Sequence, residues 1–402
     1  MKQNMQKKWF SLFPSVFIWR KKNNCFIYDS NTFHCKRINI DSPEIETIIT
    51  ALQEIDNLYC IDIDASFIED HQVMSFFKAL ADLKMGTIIN EDETLRIRPV
   101  QFPPLLNIQS AVERLSNKEL TDMTVGENIL DYLHEIHIVL SEKIESNTIT
   151  AIMNFCDSGK ISNLYAIKIS GYQLALANLT DLWQFLNSMP VLITLVLDFK
   201  EDILDSLFSI KKLNLVNVNF VIRVTHIFDK ELFCSMENFL SSEKLLHEYE
   251  FWVSNERDFE HIQAETKDIT IETMSIKPFF DGRNHTFFEQ YIYLDEEDIQ
   301  NTRITKKNIF AHQALNTNDF GKITIMSDGK VYANTHFPPL GTVNDDIRLL
   351  LYKEISSGTT WRRVRNMEPC CECIYQWICP SPSDYELEIG KSNLCHATKV
   401  TE

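Results

Sequence analysis

Residues 370–395 read CCECIYQWICPSPSDYELEIGKSNLC, and the rest of the chain is best read outward from this stretch. It holds five of the chain's ten cysteines, four of them spaced Cys370-x2-Cys373-x5-Cys379-x15-Cys395. A C-x2-C pair lets two thiolates point at one ion from a tight turn, and later cysteines can close a four-thiolate shell. Cys371 adjoins the set and could replace a neighbour within it. Spacing alone does not separate zinc from iron–sulfur, since both accept four thiolates. The bland alternative is a disulfide cluster or free structural thiols. Cys25, Cys35, Cys60, Cys156 and Cys234 are scattered, mostly in apolar runs. A secreted disulfide scaffold would be shorter and more evenly punctuated, so the pattern points to a reducing, cytoplasmic setting with a metal site.

Bulk properties narrow the partners. At 402 residues the chain has room for two or three domains and a sizeable core, and 44% hydrophobic with 24% charged residues is a normal globular mixture. A net charge of −18 disfavours nucleic acid and anionic membrane, whose binders present a basic face. Lys7 and Lys8 before the apolar run Trp9–Trp19 resemble the start of a signal peptide. Pro14 interrupts that run, Arg20, Lys21 and Lys22 follow it, and no small-residue cleavage site appears, so that reading is rejected. No stretch reaches the roughly 18 apolar residues of a membrane span.

Along the chain, Val16–Arg20, Asn24–Asp29 and His34–Ile38 read as three short strands joined by turn residues. A helix capped by Ser42, with Pro43 in its first turn, carries the stripe Ile45, Ile48, Ile49, Leu52 and Ile55. Tyr59–Ile63 reads as a strand. A second helix, Val73–Leu83, is expected to stop at Gly86. Pro99, Pro103 and Pro104 mark a linker over 90–125. Apolar runs then alternate with helical patterns such as Asn178–Asn187 and Lys230–Leu240. The strands are Glu135–Leu140, Leu164–Ser170, Leu192–Phe199, Val218–Thr225, Glu248–Val253 and Ile269–Ile276, an order that predicts a parallel α/β sheet, open or partly closed into a barrel. Lys322–Met326 and Lys330–Tyr332 around Asp328-Gly329 predict a hairpin with a type I′ turn, followed by a helix at Asp345–Ser357.

The segment Cys370–Cys395, with Pro380–Glu386 and Gly390–Cys395 inside it, resembles a SPASM domain, the cysteine-rich module that follows the radical S-adenosylmethionine (SAM) barrel in peptide-maturing enzymes. The resemblance implies that Cys370, Cys373, Cys379 and Cys395 ligate one auxiliary [4Fe–4S] cluster. The family's second auxiliary cluster needs cysteines where this chain has Ser383 and, at the glycine hairpin Gly329–Asn334, Asn334, so it is expected to be absent. The catalytic C-x3-C-x2-C is missing: Leu140–Ser146 has no cysteine, and Ser170-Gly171-Tyr172-Gln173 stands where the family's Gly-Gly-Glu-Pro would bind SAM. The whole chain thus resembles pseudo-radical-SAM proteins of ribosomal peptide clusters whose precursors carry Gly-Gly leaders.

That resemblance implies an α/β fold of three parts. Residues 10–95 would form a small α+β winged-helix-like module similar to a leader-recognition element. Residues 125–310 would be a degenerate radical-SAM-like partial (β/α) barrel, and residues 318–402 a SPASM-like iron–sulfur domain. The precursor leader would add as a strand beside His34–Ile38, in a groove with helix Val73–Leu83; a plain structural cap on the barrel is the alternative for this module. Expected partners are that leader and a maturation enzyme. The expected role is a non-catalytic accessory with no catalytic residue and no SAM site. Alternatives are a peptide-modifying enzyme using non-SAM chemistry in the barrel, or a zinc-binding interaction protein.

Weaker signals carry little. His134 and His137 lie three apart on a strand and face opposite ways, and H-E-x-x-H spacing is lacking. Cys156-Asp157-Ser158-Gly159 has no base placed beside it. Asp295–Asp298 reads as a solvated acidic face, and Trp361, Arg362, Arg363 and Arg365 as a basic surface patch at a helix end.

Overall fold

The computed structural model describes residues 8–63, 65–90, 100–101, 104, 129–141, 144–158, 164, 166–171, 179–225 and 228–397. Most of the expected linker, along with Tyr172, Gln173 and Gly159, lies outside the described residues.

The first unit contains β1 (Lys8–Leu12), β2 (Val16–Lys21), β3 (Asn24–Asp29), β4 (Cys35–Asn39), α1 (Pro43–Gln53), β5 (Cys60–Ile63), α2 (Ala65–Glu69), α3 (His71–Asp82) and β6 (Gly86–Asn90). The expected meander is present as the antiparallel sheet β2-β3-β4. Two differences are corrections. The run Trp9–Trp19 supplies two strands in different sheets, because β1 joins β5 and β6 rather than β2. Gly86 does not end a helix: α3 stops at Asp82, and Gly86 opens β6 against Leu12. Ser42 caps α1 by accepting a hydrogen bond from Ile45 N at 3.2 Å.

Period-2 alternation splits β2 and β3 between two cores. Val16, Ile18, Cys25 and Ile27 face α1 and α3. Phe17, Trp19, Phe26 and Tyr28 face the opposite way, onto Ile304, Ile309, Tyr375 and Trp377. Both faces are buried, so these strands read as continuous apolar runs rather than alternating ones.

The second unit alternates strictly: β7 (Glu135–Leu140), α4 (Ser146–Ser158), β8 (Ala166–Gly171), α5 (Thr180–Asn187), β9 (Leu192–Asp198), α6 (Ile203–Lys211), β10 (Val218–Val224), α7 (Lys230–Ser242), β11 (Leu246–Val253), α8 (Glu256–Thr266) and β12 (Met274–Pro278). The strands from β7 to β12 pair in parallel and in chain order. Right-handed crossovers in unbroken order place every connecting helix on one face. Ile136, Ile138, Ile167, Ile169, Leu195, Ile222 and Phe251 accordingly share one core with Trp183, Leu207, Phe233 and Leu240 of the helices. The last strand sits later than expected, at Met274–Pro278 rather than Ile269–Ile276. Ile269 is drawn back by a turn bond from its N–H to Thr266 O, and packs against the core as loop.

The chain continues through α9 (His285–Tyr291), α10 (Glu296–Asn301), α11 (Lys306–Ala314), β13 (Lys322–Ile325), β14 (Lys330–Tyr332), β15 (Gly341–Thr342), α12 (Ile347–Ser357) and α13 (Asp384–Ile389). Strand β13 pairs in parallel with β7, and β14 and β15 follow antiparallel, giving a mostly parallel nine-stranded sheet, β12-β11-β10-β9-β8-β7-β13-β14-β15. The hairpin turn is not type I′. That turn needs φ > 0 at both central residues, and here Gly329 has φ +80° while Asp328 is not among the positive-φ residues. Among the described residues no helix is long and apolar enough to cross a membrane.

Gly171, at the end of β8, has φ +125°, and a Cβ there would lie 2.0 Å from Leu140 O. Gly171→Ala is therefore expected to destabilise the protein by about 1–3 kcal/mol or more, measured by urea denaturation.

Candidate metal centre

Cys370 opens a short 3₁₀ turn, Cys370–Glu372, in which Cys373 N donates to Cys370 O at 3.0 Å. A second turn, Cys379 N to Tyr375 O at 3.0 Å, folds Cys379 back toward the first pair. Cys395 arrives from elsewhere. Its segment pairs in parallel with Leu294: Leu294 N donates to Leu394 O at 3.0 Å, and His396 N to Leu294 O at 2.8 Å. Cys370, Cys373, Cys379 and Cys395 then line one cavity with Arg365, Gln376 and Leu394. Cys371 is not among its lining residues.

Backbone donors already address two of the sulfurs. Tyr375 N lies 3.4 Å from Cys373 Sγ, and Ala397 N lies 3.2 Å from Cys395 Sγ. Arg365 Nη1 stands 3.7 Å from Cys370 Sγ. Such donors stabilise thiolate over thiol and tune whatever metal is held. Burial acts against them: it pushes the Cys370 and Cys379 thiols up, and Cys373 to about 11, with Arg365 partly opposing it at each. A metal must therefore displace protons to bind here.

Sequence reasoning misplaced Arg365. It belongs to no surface patch: its side chain is 10% exposed and pairs with Glu386, 5% exposed, at 2.9 Å. Gln376 Nε2 fixes the same residue by donating to Arg365 O at 2.6 Å. Trp361 is fully buried, and Arg363 pairs with Asp319 at 3.4 Å, leaving Arg362 as the exposed arginine among these. The acidic run is not merely solvated either. Asp295 and Asp298 form the capping box of α10, while Glu296 accepts from Tyr375 Oη and pairs with Arg37 of β4 at 2.6 Å.

Asn334 and Ser383, the positions of the second cluster's cysteines, lie outside the lining of that cavity. Asn334 is buried, and its Nδ2 donates to Asp319 Oδ1 at 3.0 Å and Asp384 Oδ1 at 2.6 Å. Arg363 Nη1 donates to Ser383 O at 3.4 Å. The Asn334 side chain is thus held in a polar network with two carboxylates.

The four-thiol donor set suits a four-coordinate metal centre or a cubane cluster. The cavity measures about 20 Å³, roughly one water, so a cubane enters only if the cysteine turns move apart. Among the described residues, no three His, Cys, Asp or Glu side chains gather closely enough to hold a single ion. Cys156 is different in kind: burial raises its pKa to about 12 inside the helix-side core, an inert thiol. His137 bonds Ser170 Oγ at 2.8 Å while the His134 ring packs beside Phe320, so these two histidines serve separate neighbours.

No known protein-family model matches this chain, and no curated protein matches it significantly.

Glu386→Gln would strand a buried guanidinium and should cost about 3–5 kcal/mol, whereas the double change Arg365→Met with Glu386→Leu should cost much less. Guanidinium chloride denaturation of the three proteins checks this.

Proposed function

We propose that the chain is a non-catalytic accessory in the maturation of a ribosomally made peptide, holding one [4Fe–4S] cluster on Cys370, Cys373, Cys379 and Cys395. The observation that carries the reading is convergence. Cysteines from two turns and a distant paired segment line one cavity, with a buried arginine and two N–H donors facing the sulfurs. A cluster there would supply fold stability or pass an electron. Four protein thiolates leave no open iron for substrate. The polar network around the Asn334 side chain supports a single centre rather than two.

The parallel strands in chain order support a degenerate radical-SAM-like partial barrel as the scaffold. The first unit offers the peptide site. Strand β4 is an edge of its sheet, and among the described residues no strand pairs with its far side. A leader could add there through main-chain hydrogen bonds. Tethering of His34 Nδ1 to Leu83 O at 2.7 Å sets α3 beside the start of that edge.

A second reading is a single structural zinc on the same cysteines, which suits the small cavity once the thiols, too far apart as they stand, close in on one ion. It keeps the ligands and changes the metal.

Cysteine substitution tests the centre. Cys370→Ala, Cys373→Ala and Cys379→Ala should each lose most bound metal and unfold the C-terminal region, since binding and folding are coupled at such sites. Cys371→Ala should keep both. Metal content and near-ultraviolet circular dichroism give the readout, and a Cys373→Ala protein with full metal would remove this ligand set. For the leader site, a proline at Arg37 should weaken binding of the precursor leader peptide at least tenfold by fluorescence anisotropy. Unchanged affinity would exclude strand addition at β4.

A further inference from the structure

Strand β4 meets α10 at two points on one face. Arg37 Nη1 donates to both oxygens of Glu296, at 2.7 and 2.6 Å. Cys35, two residues earlier and so on the same face of the strand, points its Sγ at Gln300 O, 3.7 Å away. The Arg37 contact joins residues 259 apart in the chain, the first unit to the region that carries the cysteines.

Glu296 is more than the partner of that arginine. It accepts from the Tyr375 hydroxyl, and Gln300 Nε2 closes the triangle by donating to Glu296 Oε1 at 2.8 Å and to Tyr375 Oη at 3.0 Å. The Tyr375 ring is buried and packs against Phe26 of β3. Its main chain then addresses two of the cysteines. The Tyr375 N–H faces Cys373 Sγ at 3.4 Å, and the Tyr375 carbonyl accepts from Cys379 N at 3.0 Å. The side chain of Tyr375 is thus held from α10, while its backbone holds both cysteine turns. Two residues before Glu296, Leu294 pairs with the segment of Cys395. The short stretch 294–296 therefore bears on three of the four thiols.

Those thiols must rearrange around whatever they hold. Groups that orient a metal's ligands from behind are worth about 10–100-fold in metal affinity. Resting on the reading that these cysteines hold a metal, we propose that Glu296 is a positioning residue of the centre, acting through Tyr375, and that Arg37 ties it to the edge strand β4. The first unit thereby regulates metal retention at a site to which it contributes no ligand.

The test is the rate at which the metal-loaded full chain gives up its metal to excess chelator, followed by the absorbance of the chelate. Tyr375→Phe keeps the ring, removes the hydroxyl and should speed the loss about tenfold. Arg37→Gln breaks a partly exposed pair and should speed it about threefold. Both changes cut one chain of contacts, so the double variant should lose metal no faster than Tyr375→Phe alone. Arg37→Lys, which keeps a cation facing Glu296, should restore slow loss. Arg20→Gln is the control. It breaks the ion pair of Arg20 with Glu46 of α1, on the opposite face of the same small sheet, and should leave the rate unchanged. An unchanged rate for Tyr375→Phe, additive effects in the double variant, or equal speeding by Arg20→Gln would overturn the proposal. An unaltered protein that takes up no metal would overturn the ligand reading itself, and the proposal with it.

Discussion

Cys395 reaches the other three cysteines because its backbone pairs with Leu294. The same stretch of chain fastens the first unit. Two residues beyond Leu294, Glu296 takes Arg37 from β4 and the hydroxyl of Tyr375, whose own N–H faces Cys373 Sγ. Further on, Ile304 exchanges hydrogen bonds with the buried Tyr28 hydroxyl, its N–H donating at 2.7 Å and its carbonyl accepting at 3.0 Å. Closing the cysteine cavity and docking the aromatic face of β2 and β3 are thus one packing event. The aromatic contact of Phe26 with Tyr375, 4.8 Å between ring centroids, sits at the joint. This aromatic seam couples the packing around the cysteines to the edge strand β4.

The large sheet divides its labour by face. One side is an aliphatic and aromatic core under five helices, with Trp183 and Phe233 fully enclosed. The other is only partly covered and carries His137, Lys168, Arg223 and Glu250. Apolar burial supplies the stability on the first side. The second side has polar groups whose burial costs energy unless they are satisfied.

Much of this was legible in the sequence, and the failures have physical causes. Glu135–Leu140 and Asn24–Asp29 were readable to the residue, because β-branched and aromatic runs between turn residues leave few alternatives. The Ser42–Pro43 start of α1 was equally plain. Trp9–Trp19 misled because two strands with different partners share one apolar run, and only pairing separates β1 from β2. Ile269 and Ile271 have strand composition but pack as loop, a tertiary outcome that local propensity does not encode. At the candidate centre the cysteine spacing was visible, but Arg365 and Glu386 were not. An arginine five residues before the first cysteine looks like any surface charge until an acid 21 residues away closes on it. Glu296 hid in an acidic run for the same reason.

The central claim is that four cysteines here hold an iron–sulfur cluster, and metal stoichiometry tests it most directly. Protein purified without oxygen should contain about four irons and about four acid-labile sulfides per chain, with the broad brown absorbance of a cubane. One zinc per chain and a colourless solution would contradict the cluster, and with it any electron-transfer role, while leaving the four-cysteine site in place.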